Sequence, residues 1–219
     1  MFSHSEENYL KVIHNLELTN SKNVSTTLIA NELQTKASSV TDMLKKLADK
    51  KLVNYEKYKG VTLTKQGEII ALNVVRKHRL WEVFLVDKLN FNWDEVHEVA
   101  EQLEHIKSDQ LIDRLDAFLN YPTKDPHGDP IPTKNGKMPL DNSILLSDAH
   151  ADIVYEVSCV KDNSKSLLQF LDKHAITINS EITIVDKFDF DDSMTVKLSN
   201  GILLTLSNKV SANVFVNLK

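Results

Sequence analysis

Apolar and polar positions recur along this chain in two rhythms, and the change from one to the other falls near residue 151. Before it the spacing is helical. In residues 3–18, SHSEENYLKVIHNLEL, the apolar positions Tyr9, Leu10, Ile13, Leu16 and Leu18 fall at near-helical intervals. TNSKN breaks that run. VSTTLIANEL then opens with capping residues at Ser25 to Thr27, and Leu28, Ile29 and Leu33 mark a short buried face. After a tight QTKA connection, SSVTDMLKKLADKKLV reads as a second amphipathic helix with Val40, Met43, Leu44 and Leu47 turned inward. Its outer face carries Ser38, Ser39, Thr41, Lys45 and Lys46. LVNYEKYKGVTLT alternates around Lys59-Gly60 as a short hairpin. Helix, tight turn, helix with a basic outer face and hairpin is the order of a winged helix-turn-helix, which places its second helix in the major groove of DNA.

TKQGEIIALNVVRKHRLWEVFLVDKLN predicts one long helix opening near Thr64 and holding a single glycine, Gly67. WDEVHEVAEQLEHI predicts another, capped by Asn92 or Asp94, and SDQLIDRLDAFLN a third with a Ser/Asp cap. The Pro-, Gly- and Asp-rich segment after Tyr121 predicts loop and linker over 121–150. From 151 the rhythm becomes that of strands. ADIVYEVSCV alternates, NSKSLLQFLDKHA is a short helix, and EITIVDKFD, SMTVKLSNGILLTLS and ANVFVNL are short strands with a hairpin signal at Asn200-Gly201. The fold class is therefore mainly α with a small β part, a β-barrel carrying one helix.

Charge changes this picture. The net charge of −5 speaks against nucleic acid, but residues 1–75 hold 10 Lys and Arg against 8 Asp and Glu, and residues 36–65 hold 8 lysines and 3 acids. A locally basic segment binds phosphates through its local field, whatever the total; the same lysines also suit a solvated helix face. No apolar run reaches the roughly 18 residues of a membrane span. MFSHSEENYLKVI lacks the plan of a secretory leader. The one cysteine, Cys159, leaves no internal disulfide and fits a reducing cytoplasm.

The chemistry concentrates in EVHEVAEQLEHI, residues 95–106. His97–Glu101 and Glu101–His105 are four apart, Glu101–Glu104 three and His97–Glu104 seven, so all four can share one helical stripe, whereas Glu95 and Glu98 fall elsewhere. On the preceding helix His78 and Glu82 are four apart. Two such stripes on successive helices suit a divalent cation, and an oxygen and nitrogen donor set without thiolate favours Mn(II) or Fe(II) over a closed structural zinc site. The competing reading is a set of helical His/Glu surface pairs. The histidines of HEVAEQLEH are eight apart, not the four of the zinc-protease motif. Neither striped helix holds Glu-x-x-His, and neither a nucleophile elbow nor a Walker loop occurs. No catalytic constellation is present, so an enzyme is not expected.

RKHRLWE, VHEVAEQLEHIKSD and DPHGDPIP, together with SSVTDMLKKL and YEKYKGVTLT, resemble the diphtheria-toxin-repressor family of metal-dependent transcriptional regulators, particularly its manganese-responsive branch. The resemblance covers nearly the whole chain. It implies a winged helix-turn-helix domain over 1–70, a helical dimerisation and metal-binding domain over 71–140, a linker over 141–150 and an SH3-like, FeoA-like domain over 151–219. It implies a homodimer that binds operator DNA when loaded with Mn(II), or Fe(II), and represses metal-uptake genes in the cytoplasm, with no membrane and no small-molecule substrate. The alternatives are an iron-responsive regulator and a metal-binding interaction protein without DNA binding. By resemblance the primary metal site takes His78, Glu101, Glu104, His105 and Asn8. Manganese members carry Asp at the Asn8 position and iron members Met; iron-type members have Cys at the position of Glu101. A second site takes Glu82, Asp125, His127 and Asp162, with His97 joining it or serving nearby. DNA contact falls to Lys36, Ser38, Ser39 and Thr41, and phosphate contact to Lys45, Lys46 and Lys59.

Overall fold

The computed structural model describes residues 2–19, 23–56, 59–161 and 164–219. The chain packs as two compact units. One comprises Met1–His78, Glu101–Ile112 and Pro132–Pro139, and the other Arg79–Ala100, Asp113–Ile131 and Leu140–Lys219.

In the first unit, α1 (His4–Thr19) precedes α2 (Thr26–Glu32) and α3 (Ala37–Asp49). Ser25 caps α2 by accepting a hydrogen bond from the Leu28 amide at 3.2 Å. The turn into α3 is made by Gln34 at a φ of 47°. The strands β1 (Val53–Glu56) and β2 (Gly60–Leu63) pair antiparallel, Val53 opposite Leu63, as the expected hairpin; residues 57–58 lie outside the described residues. Leu10, Ile13, Val24, Ile29, Val40, Leu44, Leu47 and Val61 are fully buried together. Two leucines of these helical patterns are exposed, Leu28 among them although it was expected on the buried face. Leu18 is 70% exposed and Leu28 38% exposed. Leu28 lies one residue, or about 100°, off the face shared by Ile29 and Leu33, and Leu18 falls in the last turn of α1.

The long helix α4 (Lys65–Leu89) enters this unit where its glycine is required. A Cβ on Gly67 would come 2.0 Å from the Leu52 carbonyl oxygen, so only glycine lets the helix start against that backbone. Helix α1 is tied to α3 by charge. The buried carboxylate of Glu6 receives Lys50 Nζ at 2.6 Å and Lys46 Nζ at 3.0 Å, and its second oxygen accepts from the Ser3 amide. Burial by itself would raise this acid; the bonds from Lys50, Ser3 and Lys46 prevail and hold it at about 2.

In the second unit, α5 (Val96–Leu103) and α6 (Asp109–Phe118) follow α4, parts of both belonging to the first unit. Helix α5 is shorter than its charge pattern predicts: Glu104 and His105 lie in the turn beyond it. A six-stranded antiparallel sheet has the order β3-β8-β4-β5-β6-β7. Its strands are β3 (Ile144–Leu145), β4 (Val154–Val160), β5 (Glu181–Phe188), β6 (Ser193–Leu198), β7 (Leu203–Leu206) and β8 (Val214–Leu218), with α7 (Lys165–Lys173) and α8 (Asn208–Ser211) completing it. The sheet thus takes its first strand from upstream of residue 151. Tyr155, Val157, Leu168, Leu171, Ile182 and Val196 are among its buried core. Among the described residues no helix is long and apolar enough to cross a membrane.

The loop after α6 is clamped to β4. The Val160 amide donates to the His127 carbonyl at 2.9 Å, and Lys124 Nζ donates to the Ser158 hydroxyl at 2.7 Å. Gly128 sits at a φ of +87°, and a Cβ there would meet the Ser158 carbonyl oxygen at 2.0 Å.

Gly128→Ala combines left-handed backbone strain with this clash. It is expected to cost about 2 kcal/mol or more in urea unfolding of the second unit. Glu6→Gln should cost roughly 2 kcal/mol at pH 7, after allowance for screening of two half-exposed lysines. A carboxylate whose folded pKa is depressed stabilises fully above its unfolded value of 4.5 and loses that contribution as pH falls towards 2. The difference between wild type and variant should therefore shrink across that window in pH-dependent melts.

Candidate metal centre

Two clusters of ligand-type side chains form, one in each unit. The first is built on α1, whose Glu7, Asn8 and Lys11 fall on neighbouring turns of one face. His78 comes from α4, and Glu104 and His105 from the turn that ends α5. His78 Nδ1 lies 2.6 Å from Glu104 Oε2, and His105 Nδ1 lies 2.6 Å from Glu7 Oε2. His105 Nε2 is 3.7 Å from the other Glu104 oxygen. Lys11 Nζ donates to Glu104 Oε2 at 2.6 Å and stands 3.3 Å from His78 Nδ1 and 3.9 Å from Glu101 Oε1. Glu104 is 1% exposed. Burial would raise its carboxyl, but the His78 bond and the Lys11 charge hold it below the usual carboxylate range. His4 stacks on the His105 ring at 4.6 Å.

Asn8 Oδ1 is buried with no hydrogen-bond partner. A buried carbonyl oxygen left so is costly, and an amide oxygen is a competent donor to a hard cation. That orphan, on the helix that also carries Glu7 of this cluster, fits a divalent metal with oxygen and nitrogen donors.

The second cluster takes Glu82 from α4, His97 from α5, and Asp125 and His127 from the loop clamped to β4. His97 Nδ1 is 3.5 Å from Glu82 Oε1. His127 Nε2–H donates to the Trp93 carbonyl at 2.9 Å, which turns Nδ1 towards Glu82 Oε2 at 3.8 Å and Asp125 Oδ1 at 4.0 Å. Nδ1 is buried without a hydrogen bond. These separations are too long for hydrogen bonds and suit atoms arranged around an ion. Glu82, Asp125 and His127 are all buried, with ligand atoms within 4.8 Å of one another. Burial, then the charges of Glu82 and Asp129, pushes Asp125 up to about 7. Burial would lower His127, but the nearby Glu82 carboxylate, then the charge of Asp125 and the bond to the Trp93 carbonyl, outweigh it and raise it to about 9. Arg79 braces the loop, with Nε 3.4 Å from Asp125, Nη2 3.5 Å from Asp129 and Nη1 donating to the Pro130 carbonyl at 2.5 Å. Cys159 offers no thiolate: burial and the charges of Asp129 and Asp125 raise its thiol.

The single stripe expected for His97, Glu101, Glu104 and His105 is therefore divided. His97 faces Glu82 in the second unit; Glu104 and His105 belong to the first, lying in the turn after α5 ends at Leu103, and Glu101, still on α5, is counted with the first unit as well. Glu101 is exposed, its side chain at 55%. Asp162 lies outside the described residues. Residue patterns did not flag Glu7, Lys11, Arg79 or Asp129. The spacing of four between Glu7 and Lys11, with Asn8 between them, was the available signal for the first two.

On the basic surface, Lys36, Ser38 and Ser39 are exposed at the start of α3, and Thr41 is half-buried, donating to the Ala37 carbonyl. Lys45 pairs with Asp42 at 3.3 Å, Lys46 with Glu6, and Lys59 with Glu56 at 2.7 Å.

Comparison with known proteins agrees with this arrangement. Residues 1–61 match the model of the iron dependent repressor N-terminal DNA binding domain, residues 64–133 that of the iron dependent repressor metal binding and dimerisation domain, and residues 144–218 the FeoA domain. An uncharacterized HTH-type transcriptional regulator of Methanocaldococcus jannaschii is 39% identical over 53% of this chain and 94% of its own length. The iron-dependent repressor IdeR of Mycobacterium leprae is 35% identical over 68% of this chain and 63% of its own. A solved manganese-dependent transcriptional repressor in complex with manganese superposes with a TM-score of 0.90 at 33% identity, over 98% of this chain and all of that one. The consecutive domain matches and the two buried oxygen and nitrogen clusters agree: the chain belongs to the iron-dependent repressor family and is a metal-dependent transcriptional regulator, not an enzyme.

Proposed function

We propose that this chain is a Mn(II)-activated repressor, with Fe(II) as the alternative metal, that binds operator DNA as a homodimer in the cytoplasm and controls metal-uptake genes. The division of labour follows the sequence. Residues 1–70 bind DNA and 71–140 pair the subunits and hold metal, while the SH3-like domain takes in 151–219 together with β3, which lies in the 141–150 stretch expected to link.

One observation carries the reading. Glu7 and Lys11 on α1, within the DNA-binding segment, share a cluster with His78, Glu104 and His105 of the following segment, and Asn8, next to Glu7 on that helix, has its Oδ1 buried. A bound divalent cation supplies one positive centre that satisfies carboxylate, amide and imidazole donors together. The ligands of the first site are Asn8, His78, Glu101, Glu104 and His105; those of the second are Glu82, Asp125, His127 and Asp162, with His97 beside them. Holding Asn8 against His78, Glu104 and His105 fixes α1 relative to the segment that pairs the subunits. The Glu6 bonds to Lys46 and Lys50 pass that position on to α3. Two recognition helices held about one DNA turn apart meet successive half-sites. Moving such an equilibrium from mostly incompetent to mostly competent needs roughly 5.5 kcal/mol of differential binding.

Lys36, Ser38, Ser39 and Thr41 approach base edges, and Lys45, Lys46 and Lys59 exchange their carboxylate partners for phosphates. The manganese complex of the solved relative and the absence of a thiolate donor both favour manganese.

In anisotropy titrations with a promoter fragment of a metal-uptake gene, DNA affinity should be at least about tenfold higher with Mn(II) than with EDTA, as expected of an allosteric coupling. Equal affinities would refute the metal switch. Asn8→Asp adds a charged ligand and should tighten Mn(II) about tenfold by calorimetry; unchanged or weaker binding would remove Asn8 from the ligand set.

A further inference from the structure

Lys11 is not an ordinary surface lysine. Its side chain is 12% exposed, and its ammonium touches the atoms that a metal in the first cluster would need. It donates to Glu104 Oε2 at 2.6 Å, lies 3.3 Å from His78 Nδ1, and stands 3.9 Å from Glu101 Oε1. Each of these atoms must present a lone pair to a cation. We propose, on the basis of the metal-activated reading above, that Lys11 is a tethered competitor for the first metal site, a resident cation that sets the metal concentration at which the site fills.

The argument rests on charge and geometry. Glu104 is nearly inaccessible to water, and an isolated carboxylate there would be strongly unfavourable. Lys11 supplies the missing positive charge, so the cluster is assembled and electrically satisfied by the chain itself. The same charge opposes a second cation in the same place. A divalent ion has to displace the ammonium from Glu104 or bind close beside it, and either route lowers affinity. Lysine suits displacement: its charge is compact and strongly hydrated, and its four-carbon stem can swing to water while α1 stays in place. Asn8 adds to the effect because it contributes an oxygen without a negative charge. The site therefore meets a metal with a resident cation and one carboxylate fewer than an Asp at position 8 would provide. Lys11 has two opposite effects: it stabilises the metal-free protein and weakens metal binding.

The test is calorimetric titration of Mn(II) into the metal-free full-length protein, comparing wild type, Lys11→Met and Lys11→Arg, with thermal melts of each in EDTA. The binding step that vanishes in His105→Ala identifies this cluster. Lys11→Met should bind Mn(II) about tenfold or more tightly at that step, with a lower melting temperature in EDTA. Lys11→Arg, which keeps the charge, should stay near wild type. Lys11→Gln carries the same expectation as Lys11→Met should the latter fail to fold. If wild type binds Mn(II) and the neutral variants bind it equally or more weakly, the competitor role is overturned while the metal reading stands. If wild type shows no Mn(II) binding, the metal reading fails and the competitor role fails with it.

Discussion

The burial of Glu104 is the constraint on which the first unit depends. A carboxylate that is 1% exposed persists as an anion only if several elements bring donors to it. Here α4 brings His78 and α1 brings Lys11, while His105 lies by the second oxygen and is itself held by Glu7. Each partner comes from a different stretch of chain, so the carboxylate fixes α1 against α4 and the end of α5. Glu6, one residue before Glu7, repeats the device towards α3. Helix α3 is thus linked to Glu104 through two buried acids on adjacent positions of α1. A change in what satisfies Glu104 acts at one end of this series.

The second cluster uses a different construction. Its loop donors are fixed by backbone: the His127 carbonyl accepts from Val160, and the Asp125 carboxylate accepts from the amides of His127 and Asp129 at 2.8 and 3.0 Å. Three acids, Glu82, Asp125 and Asp129, crowd around one another in the interior, and their mutual repulsion together with burial raises Asp125 to about 7. Crowding of this kind is common where a cation is to be received. The loop's attachment to β4 means that any occupant of the cluster also bears on the placement of the C-terminal sheet's own connection.

Periodicity in the sequence revealed most of the architecture because each element has one apolar face and ends at a recognisable cap or glycine. The Ser25 cap, the hairpin at Gly60 and the turn at Gly201 all fall where local chemistry places them. The ligand stripe on α5 was legible as residue types but not as geometry. Spacing arguments assume that a helix continues, and α5 stops at Leu103, so His97 parts from Glu104 and His105. Lys11 and Arg79 were illegible for another reason. Both are cations on helices, and a cation on a helix is ordinarily solvated; only tertiary packing turns one into the partner of a buried acid.

Those two cations also distinguish the clusters. Each cluster gathers acids around one resident positive group, yet the groups are not interchangeable. Arg79 is planar and engaged in three directions, to Asp125, to Asp129 and to the Pro130 carbonyl, so removing it would take a partner from two acids and a backbone oxygen at once. It braces the loop whatever else binds. Lys11 holds Glu104 by a single strong bond at the tip of a flexible stem and can give up that position to a better cation. The loop cluster is therefore built around a permanent counter-charge, and the α1 cluster around a removable one. The removable charge sits on α1, the helix that Glu6 ties to α3.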